Sequence, residues 1–259
     1  MTHCFTFVVI RVIRGKNCLE RTLIMQTRTS KRSNETQADA ILKFYRQLNP
    51  AFNLEEGIVI MNPFLNDDSW RIAELFYKKF YKDTHQRTFI FGINPGRFGG
   101  GITGIPFTDP IRLENECGIQ NDFKKQAELS SIFIYSVIKA YGGVEKFYRD
   151  FFITAISPLG FTKNGVNLNY YDDKNLLKSS EAFIVQCIRQ QQETIHASGT
   201  CFCLGEGTNY KIFKKLNEKY HFFKEIISLP HPRWIMQYRR KKIDEFARYY
   251  LEKLKSIDK

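Results

Sequence analysis

Two stretches of this sequence carry residue types able to do chemistry, and they lie far apart in the chain. The first is 88-TFIFGINPGRFGGGITGIPFTDP-110. A short apolar run breaks there into a segment dense in glycine and proline, with a single carboxamide at Asn94. Glycines at 92, 96, 99, 100, 101 and 104 permit dihedrals closed to other residues and let a ligand approach the main chain. Pro95 and Pro106 stiffen the segment. No GKS or GKT follows and GxGxxG is missing, so triphosphate and dinucleotide loops are poor readings. The Asn94 amide can both donate and accept. It could orient a water or read a polar edge, or it could cap a turn. Phe107 could offer a ring face to a flat ligand, or pack in a core.

The second stretch is 229-LPHPRWIMQYRRKK-242. His231 lies between two prolines, which restrain its backbone. Catalytic and structural roles are both open to it. Beyond it, Arg233, Arg239, Arg240, Lys241 and Lys242 alternate with Trp234, Ile235, Met236 and Tyr238. Such a mixture suits a segment that grips phosphates while an apolar wedge enters a base stack. The alternative is a solvated helix start with Trp234 buried.

Both stretches follow predicted strands. Apolar runs predict strands at Thr88–Gly92, 151–157, 200–204 and 225–229. Helical spacing predicts helices from Asn34 or Thr36 to Leu48, Ser69 to Tyr81, Glu128 to Ala140, Val144 to Arg149, Asn175 to His196, 208 to Lys219 and Tyr238 to Leu254. Strands alternating with helices predict an α/β fold, with a parallel sheet covered on both faces. Ligands of such sheets bind outside the carboxyl ends of the strands. The segments after Gly92, after Ser157, at Gly205–Gly207 and at Pro230–Gln237 should therefore converge.

The 259 residues carry a formal charge of +12. A basic, aromatic-rich chain meets a polyanion, with nucleic acid the first candidate and an anionic membrane the second; a merely basic protein is the bland reading. No apolar run approaches the ~18 residues of a membrane span. The six cysteines, Cys4, Cys18, Cys117, Cys187, Cys201 and Cys203, form no CxxC pair. No zinc ribbon, redox motif or iron–sulfur cluster follows from them, and buried thiols in a reducing compartment are the expectation. The segment 1–33 is rich in Arg and Lys. It reads either as a targeting extension or as an extension created by a mis-called start, with Met25 the true first residue, and residues 34–259 as a single domain.

The residues also carry a family resemblance. GINPGRFGGGITGIPF resembles the first motif of the single-strand-selective monofunctional uracil-DNA glycosylases, GMNPGPFG…TGVPF, through Gly92, Asn94, Pro95, Gly96, Phe98, Gly99, Thr103, Gly104, Pro106 and Phe107. In chain order, Glu128–Ser131 resembles EVSG, Ser157-Pro158-Leu159 resembles CPL, Gly165–Leu168 resembles GRNL, Gly205–Gly207 resembles GVG, and His231-Pro232-Arg233 resembles a shortened HPSPR. The similarity spans residues 37–250 and fits best a divergent, bacterial-type branch.

The resemblance implies a three-layer sandwich with a central four-stranded parallel sheet flanked by helices. It implies hydrolysis of the N-glycosidic bond of deoxyuridine in DNA, without metal or cofactor. Asn94 would position the attacking water, Phe107 would stack on the flipped uracil, and His231 would hydrogen-bond uracil O2. Gly92, Ile93, Pro95, Gly96, Phe98, Gly99 and Ser157 would complete the base site. Asn167, Gly205, Gly207, Arg233, Trp234, Arg239, Arg240 and Lys241 would meet the DNA. The expected partner is uracil-containing DNA, single- or double-stranded, with no membrane. The expected form is an intracellular monomer, cytoplasmic in a bacterium and nuclear or organellar in a eukaryote. One departure bears on substrate range. Where better-known members carry an Asn that reads the uracil edge, this chain has Ala155. Xanthine or hypoxanthine as target base, or a decayed nucleic-acid-binding protein, are the alternatives.

Overall fold

The computed structural model describes residues 35–195 and 199–257. Its first elements are α1 (Gln37–Arg46), β1 (Ile58–Met61), α2 (Asp67–Phe80) and β2 (Thr88–Gly92). Four helices follow, α3 (Gly100–Thr103), α4 (Pro110–Asn115), α5 (Leu129–Tyr141) and α6 (Val144–Asp150). Then come β3 (Phe151–Ala155), β4 (Gly160–Lys163), β5 (Val166–Leu168) and α7 (Lys174–Ile195). The chain ends with β6 (Thr200–Leu204), α8 (Thr208–Tyr220), β7 (Glu225–Leu229), α9 (Pro232–Tyr238) and α10 (Ile243–Lys255).

The central sheet has the order β3-β2-β6-β7, and every neighbouring pair is parallel. Phe89 sits opposite both Phe152 and Cys201, which sets the register. All residues of β3, and all but the first of β2 and β6, are buried. That is why these strands read as continuous apolar runs: a parallel sheet is covered by helices on both faces. Cys201 and Cys203 are buried in β6, as expected, with Cys117 and Cys187 also inside. The crossover from β2 leads to β3 on one side, and that from β6 leads to β7 on the other. The switch point therefore lies between β2 and β6, where an open α/β sheet leaves a crevice.

Helix α1 begins on a reciprocal cap. The Asp39 N–H donates to Thr36 Oγ1 (3.2 Å) and the Thr36 N–H donates to Asp39 Oδ2 (3.1 Å). The other expected cap, Asn34, lies outside the described residues, as do the extension 1–33 and His196. Residues Thr36–Lys259 form one compact unit. Among the described residues no helix is long and apolar enough to cross a membrane.

Besides the short helices α3, α4 and α9, which no predicted element covered, two further features differ from the sequence-based expectation. A second, antiparallel sheet, β1-β4-β5, follows from no pattern singled out above. Its strands are three or four residues long and half-exposed, too short for periodicity to declare them. The expected helix from Tyr238 to Leu254 starts five residues later than expected, at Ile243. Helix α9 ends at Tyr238, a single 3-10 turn covers Arg240–Lys242, and α10 starts at Ile243. Four consecutive cations at 239–242 repel one another. Asp244 and Glu245 then supply negative charge at a new helix N-terminus, where the macrodipole favours it.

Candidate active site

The β2–β3 pairing continues past the strands. The Ile156 N–H donates to Gly92 O and the Ser157 N–H to Ile93 O, both at 3.1 Å. The two exit loops thus leave the sheet side by side. Beyond Gly92 the chain tightens on itself, with the Gly99 and Gly101 N–H groups both donating to Gly96 O (3.2 and 2.9 Å). It then returns Phe107 to the strand end. A Cβ on Gly92 would lie 2.8 Å from the Phe107 ring, so only glycine lets that ring rest there. Phe107 itself has φ +53°, a region unfavourable for a bulky side chain. The turn is held by Thr108 N–H to Ile105 O (3.2 Å) and by Thr103 Oγ1–H to Thr108 O (2.7 Å). Strain of this kind persists where surrounding bonds over-determine it.

Asn94 is half-buried and its carboxamide is oriented by the chain after β5. Its Nδ2 donates to Leu168 O (3.3 Å) and Pro95 O (3.4 Å), while Oδ1 accepts from the Tyr170 N–H (3.1 Å). The Tyr170 N–H can only donate, so the amide cannot be flipped. Oδ1 keeps a second lone pair. Tyr170 is anchored in turn: its hydroxyl donates to Asn209 Oδ1 (3.1 Å), and Asn209 Nδ2 donates to Leu204 O (3.1 Å) at the end of β6. The hydrogen-bonded path from Asn94 thereby reaches the other side of the switch point.

His231 caps α9. Its Nδ1 accepts the Arg233 N–H at 3.1 Å, which leaves the ring proton on Nε2. Burial, helped by the Arg233 charge, lowers its pKa to about 4. At neutral pH the imidazole is therefore an uncharged donor. The Phe107 and His231 rings lie 6.2 Å apart between centroids, inclined by 52°. Gly205 lies beside His231, where an added Cβ would be 3.8 Å from the ring. The carboxyl ends of β2, β6 and β7 thus bring Gly92, Phe107, Gly205 and His231 into one contiguous group.

The other expected site residues are placed as follows. Asn167 Oδ1 accepts the Arg97 N–H (3.3 Å), which ties β5 to the glycine loop. Ile93 is half-buried against the core, and the Pro95 carbonyl lies where a Cβ on Gly160 would be. Ser157 is fully buried and its hydroxyl donates to Leu159 O (2.8 Å). Gly207 caps α8 in open space. Arg233, Arg239, Arg240 and Lys241 are exposed. Trp234 is 38% exposed, with the Arg239 guanidinium 4.9 Å from its ring centroid. Ile235 and Met236 are not available as wedges, because both point into the core. Ala155 is buried opposite Gly92, with its methyl beside a small cavity that Tyr45, Pro95 and Pro106 also line.

Two contributors escaped the sequence-based expectation, the main-chain groups Leu168 O and Tyr170 N, which no side-chain pattern can signal. Glu128, noted above only as part of the EVSG-like segment, has a contact that the spacing did not assign: its carboxylate packs on the glycine loop. A Cβ on Gly99 would lie 2.0 Å from Glu128 Oε2. Burial raises the Glu128 pKa, with Ser131 Oγ–H donating to the carboxylate at 3.0 Å. The spacing of Gly96 and Gly99 announced a close approach without saying by what. Among the described residues no three His, Cys, Asp or Glu side chains group as metal ligands.

The family model described as the uracil DNA glycosylase superfamily matches residues 78–255. Among solved structures, the crystal structure of wild-type Pedobacter heparinus SMUG2 is similar, with 46% sequence identity and a TM-score of 0.83. The match covers 85% of this chain and 97% of that one. No curated protein sequence matches the chain.

Proposed function

This chain belongs to the uracil DNA glycosylase superfamily, and from that premise we propose that it hydrolyses the N-glycosidic bond of deoxyuridine in DNA, leaving an abasic site. The target base is stacked or paired, so it must first be swung out, at a cost of a few kcal/mol that is least for single strands. Phe107 stacks on the extruded ring. The C1′–N1 bond breaks with its electron pair going to uracil, and negative charge gathers on O2. The Nε2–H of His231 donates to that oxygen. A neutral imidazole serves here as an electrophile, as in other enzymes where a helix terminus holds the ring uncharged. Asn94 Oδ1 uses its free lone pair to hold the water that attacks C1′; as the C1′–O bond forms, the water's proton passes to solvent, where it meets the departed uracil anion. Because the sugar is already cation-like, the water needs placing more than activating, and a carboxamide suffices.

The observation that carries this reading is the tautomer of His231. A proton fixed on Nε2 beside Phe107 is what a developing oxyanion needs, and one such donor is worth about 10²–10³ in rate. The exposed cations Arg233, Arg239, Arg240 and Lys241 suit the phosphates on either side. Ala155 favours a second reading within the same chemistry. By the family resemblance Ala155 stands where other members read the uracil edge with an Asn; a methyl there imposes no donor or acceptor pattern, which favours a deaminated purine such as xanthine or hypoxanthine as the alternative target.

The test is an excision panel. Purified protein is incubated with single-stranded and duplex oligonucleotides carrying uracil, xanthine or hypoxanthine, and base release is followed beside binding. Uracil release is expected. Tight binding with no release of any base would leave a nucleic-acid-binding protein instead.

A further inference from the structure

The loop that carries Asn94 also holds out an aromatic ring. Phe98 is 38% exposed at its tip, and the neighbouring Arg97 guanidinium lies 4.5 Å from the ring centroid. The tip is braced from two sides. The Arg97 N–H donates to Asn167 Oδ1 (3.3 Å) and its guanidinium donates to Gly165 O, both in the β4–β5 hairpin. Beneath, Glu128 at the start of α5 presses on Gly99. Phe98 is therefore presented at a braced place, next in sequence to an Arg97 tied to Gly165 and Asn167. Arg97 is held by a carbonyl and not by a carboxylate, so its charge stays available to an anion.

We propose that Arg97 and Phe98 form a stacking platform for the nucleobase adjacent to the extruded nucleotide, with Arg97 facing a backbone phosphate of the same strand. The inference rests on the glycosylase reading above and goes beyond it: Phe98, grouped by the resemblance with the base site, is exposed at the loop tip and is assigned to a subsite outside the base slot. When one base swings out, its neighbour loses a stacking partner; an exposed ring replaces it whatever the sequence, since every base has a π-face. A cation beside the ring takes the phosphate and strengthens the stack. Phe98 lies on the same exit loop as Asn94, four residues on. The same device recurs after β7, where Arg239 backs the exposed Trp234. Each of these two exit segments thus carries one cation-backed ring.

The test is a binding cycle on a single-stranded oligonucleotide whose central 2′-fluoro-deoxyuridine resists cleavage. Each flanking base in turn is replaced by an abasic spacer. Wild type is expected to lose roughly tenfold in affinity when one particular neighbour is removed. Phe98→Ala should show a similar loss on the intact strand and no further loss with that spacer. Phe98→Leu, apolar but without a planar face, should recover only part. Arg97→Gln should reduce the slope of log affinity against log salt by about one. Equal affinity of wild type and Phe98→Ala for the intact strand would overturn the proposal, as would a loss independent of both neighbours. Because the strand is never cleaved, a protein that couples Phe98 to a neighbour yet releases no uracil from the ordinary substrate would contradict only the glycosylase reading.

Discussion

Strand β2 carries a polar side chain just outside each end, and the two are treated in opposite ways. At its start Arg87 is completely buried and every N–H of its guanidinium is used. It donates to Tyr148 O (2.7 Å), both Asp83 oxygens (2.9 and 3.0 Å), His85 O, Phe80 O and Gln37 Oε1, with the Tyr81 ring covering its face. At its end Asn94 is half-buried and its oxygen accepts one bond of a possible two. A fully satisfied buried network makes a rigid anchor with nothing left to offer a ligand. An oriented group with a vacant lone pair is pre-organised for one. The same strand ties both together, so the rigidity built at one end is delivered as geometry at the other.

That contrast predicts which substitutions damage chemistry and which damage the fold. The largest effect should come from His231→Ala, which should slow single-turnover uracil release by about 10²–10³ with DNA affinity little changed. If affinity falls and the rate does not, His231 is a binding residue. Next, Arg87→Met leaves Asp83 and Gln37 without their partner and should lower stability by about 3 kcal/mol in denaturant unfolding. Excision per folded molecule should stay normal, and a lost rate would erase the division between the two ends. Gly92→Ala displaces the Phe107 ring, which stands 2.8 Å from the new methyl. We expect roughly tenfold slower release, with the melting temperature moved less than in Arg87→Met.

The smallest effect concerns pH. An ordinary histidine charges near 6.5, whereas His231 is held down to about 4. Excision should therefore hold steady as pH falls from 7 to about 5 and decline only near 4. Between the ordinary value and about 4 the unfolded chain binds the proton that the folded chain refuses. The His231 contribution to stability is thus present above that window and lost as pH falls through it. A rate that halves near pH 6.5 would show that the ring is neither buried enough nor fixed as described.

The sequence exposed the strands of the central sheet because burial on both faces makes them uniformly apolar. Glycine and proline spacing marked where chain direction changes sharply and so singled out Asn94, Phe107 and His231 as candidates, while their roles came from the family resemblance. The sequence hid β1 and β4, which pair across about a hundred positions, such as Ile58 with Lys163, and the short β5 that pairs with β4 in a hairpin. It also hid the groups that aim Asn94, since the Leu168 carbonyl and Tyr170 amide are common to any residue type. Ile235 and Met236 looked like wedge residues for want of a phase. The helical turn begun at Pro232 sends them inward and leaves Trp234 outside.

The central claim is that Asn94 holds the attacking water, and single-turnover release of uracil from a single-stranded oligonucleotide tests it most directly, wild type beside Asn94→Ala. The account predicts release by the wild type and a loss of at least about 10²–10³ in the variant, with both proteins binding the oligonucleotide equally. Equal rates for the two proteins would contradict it.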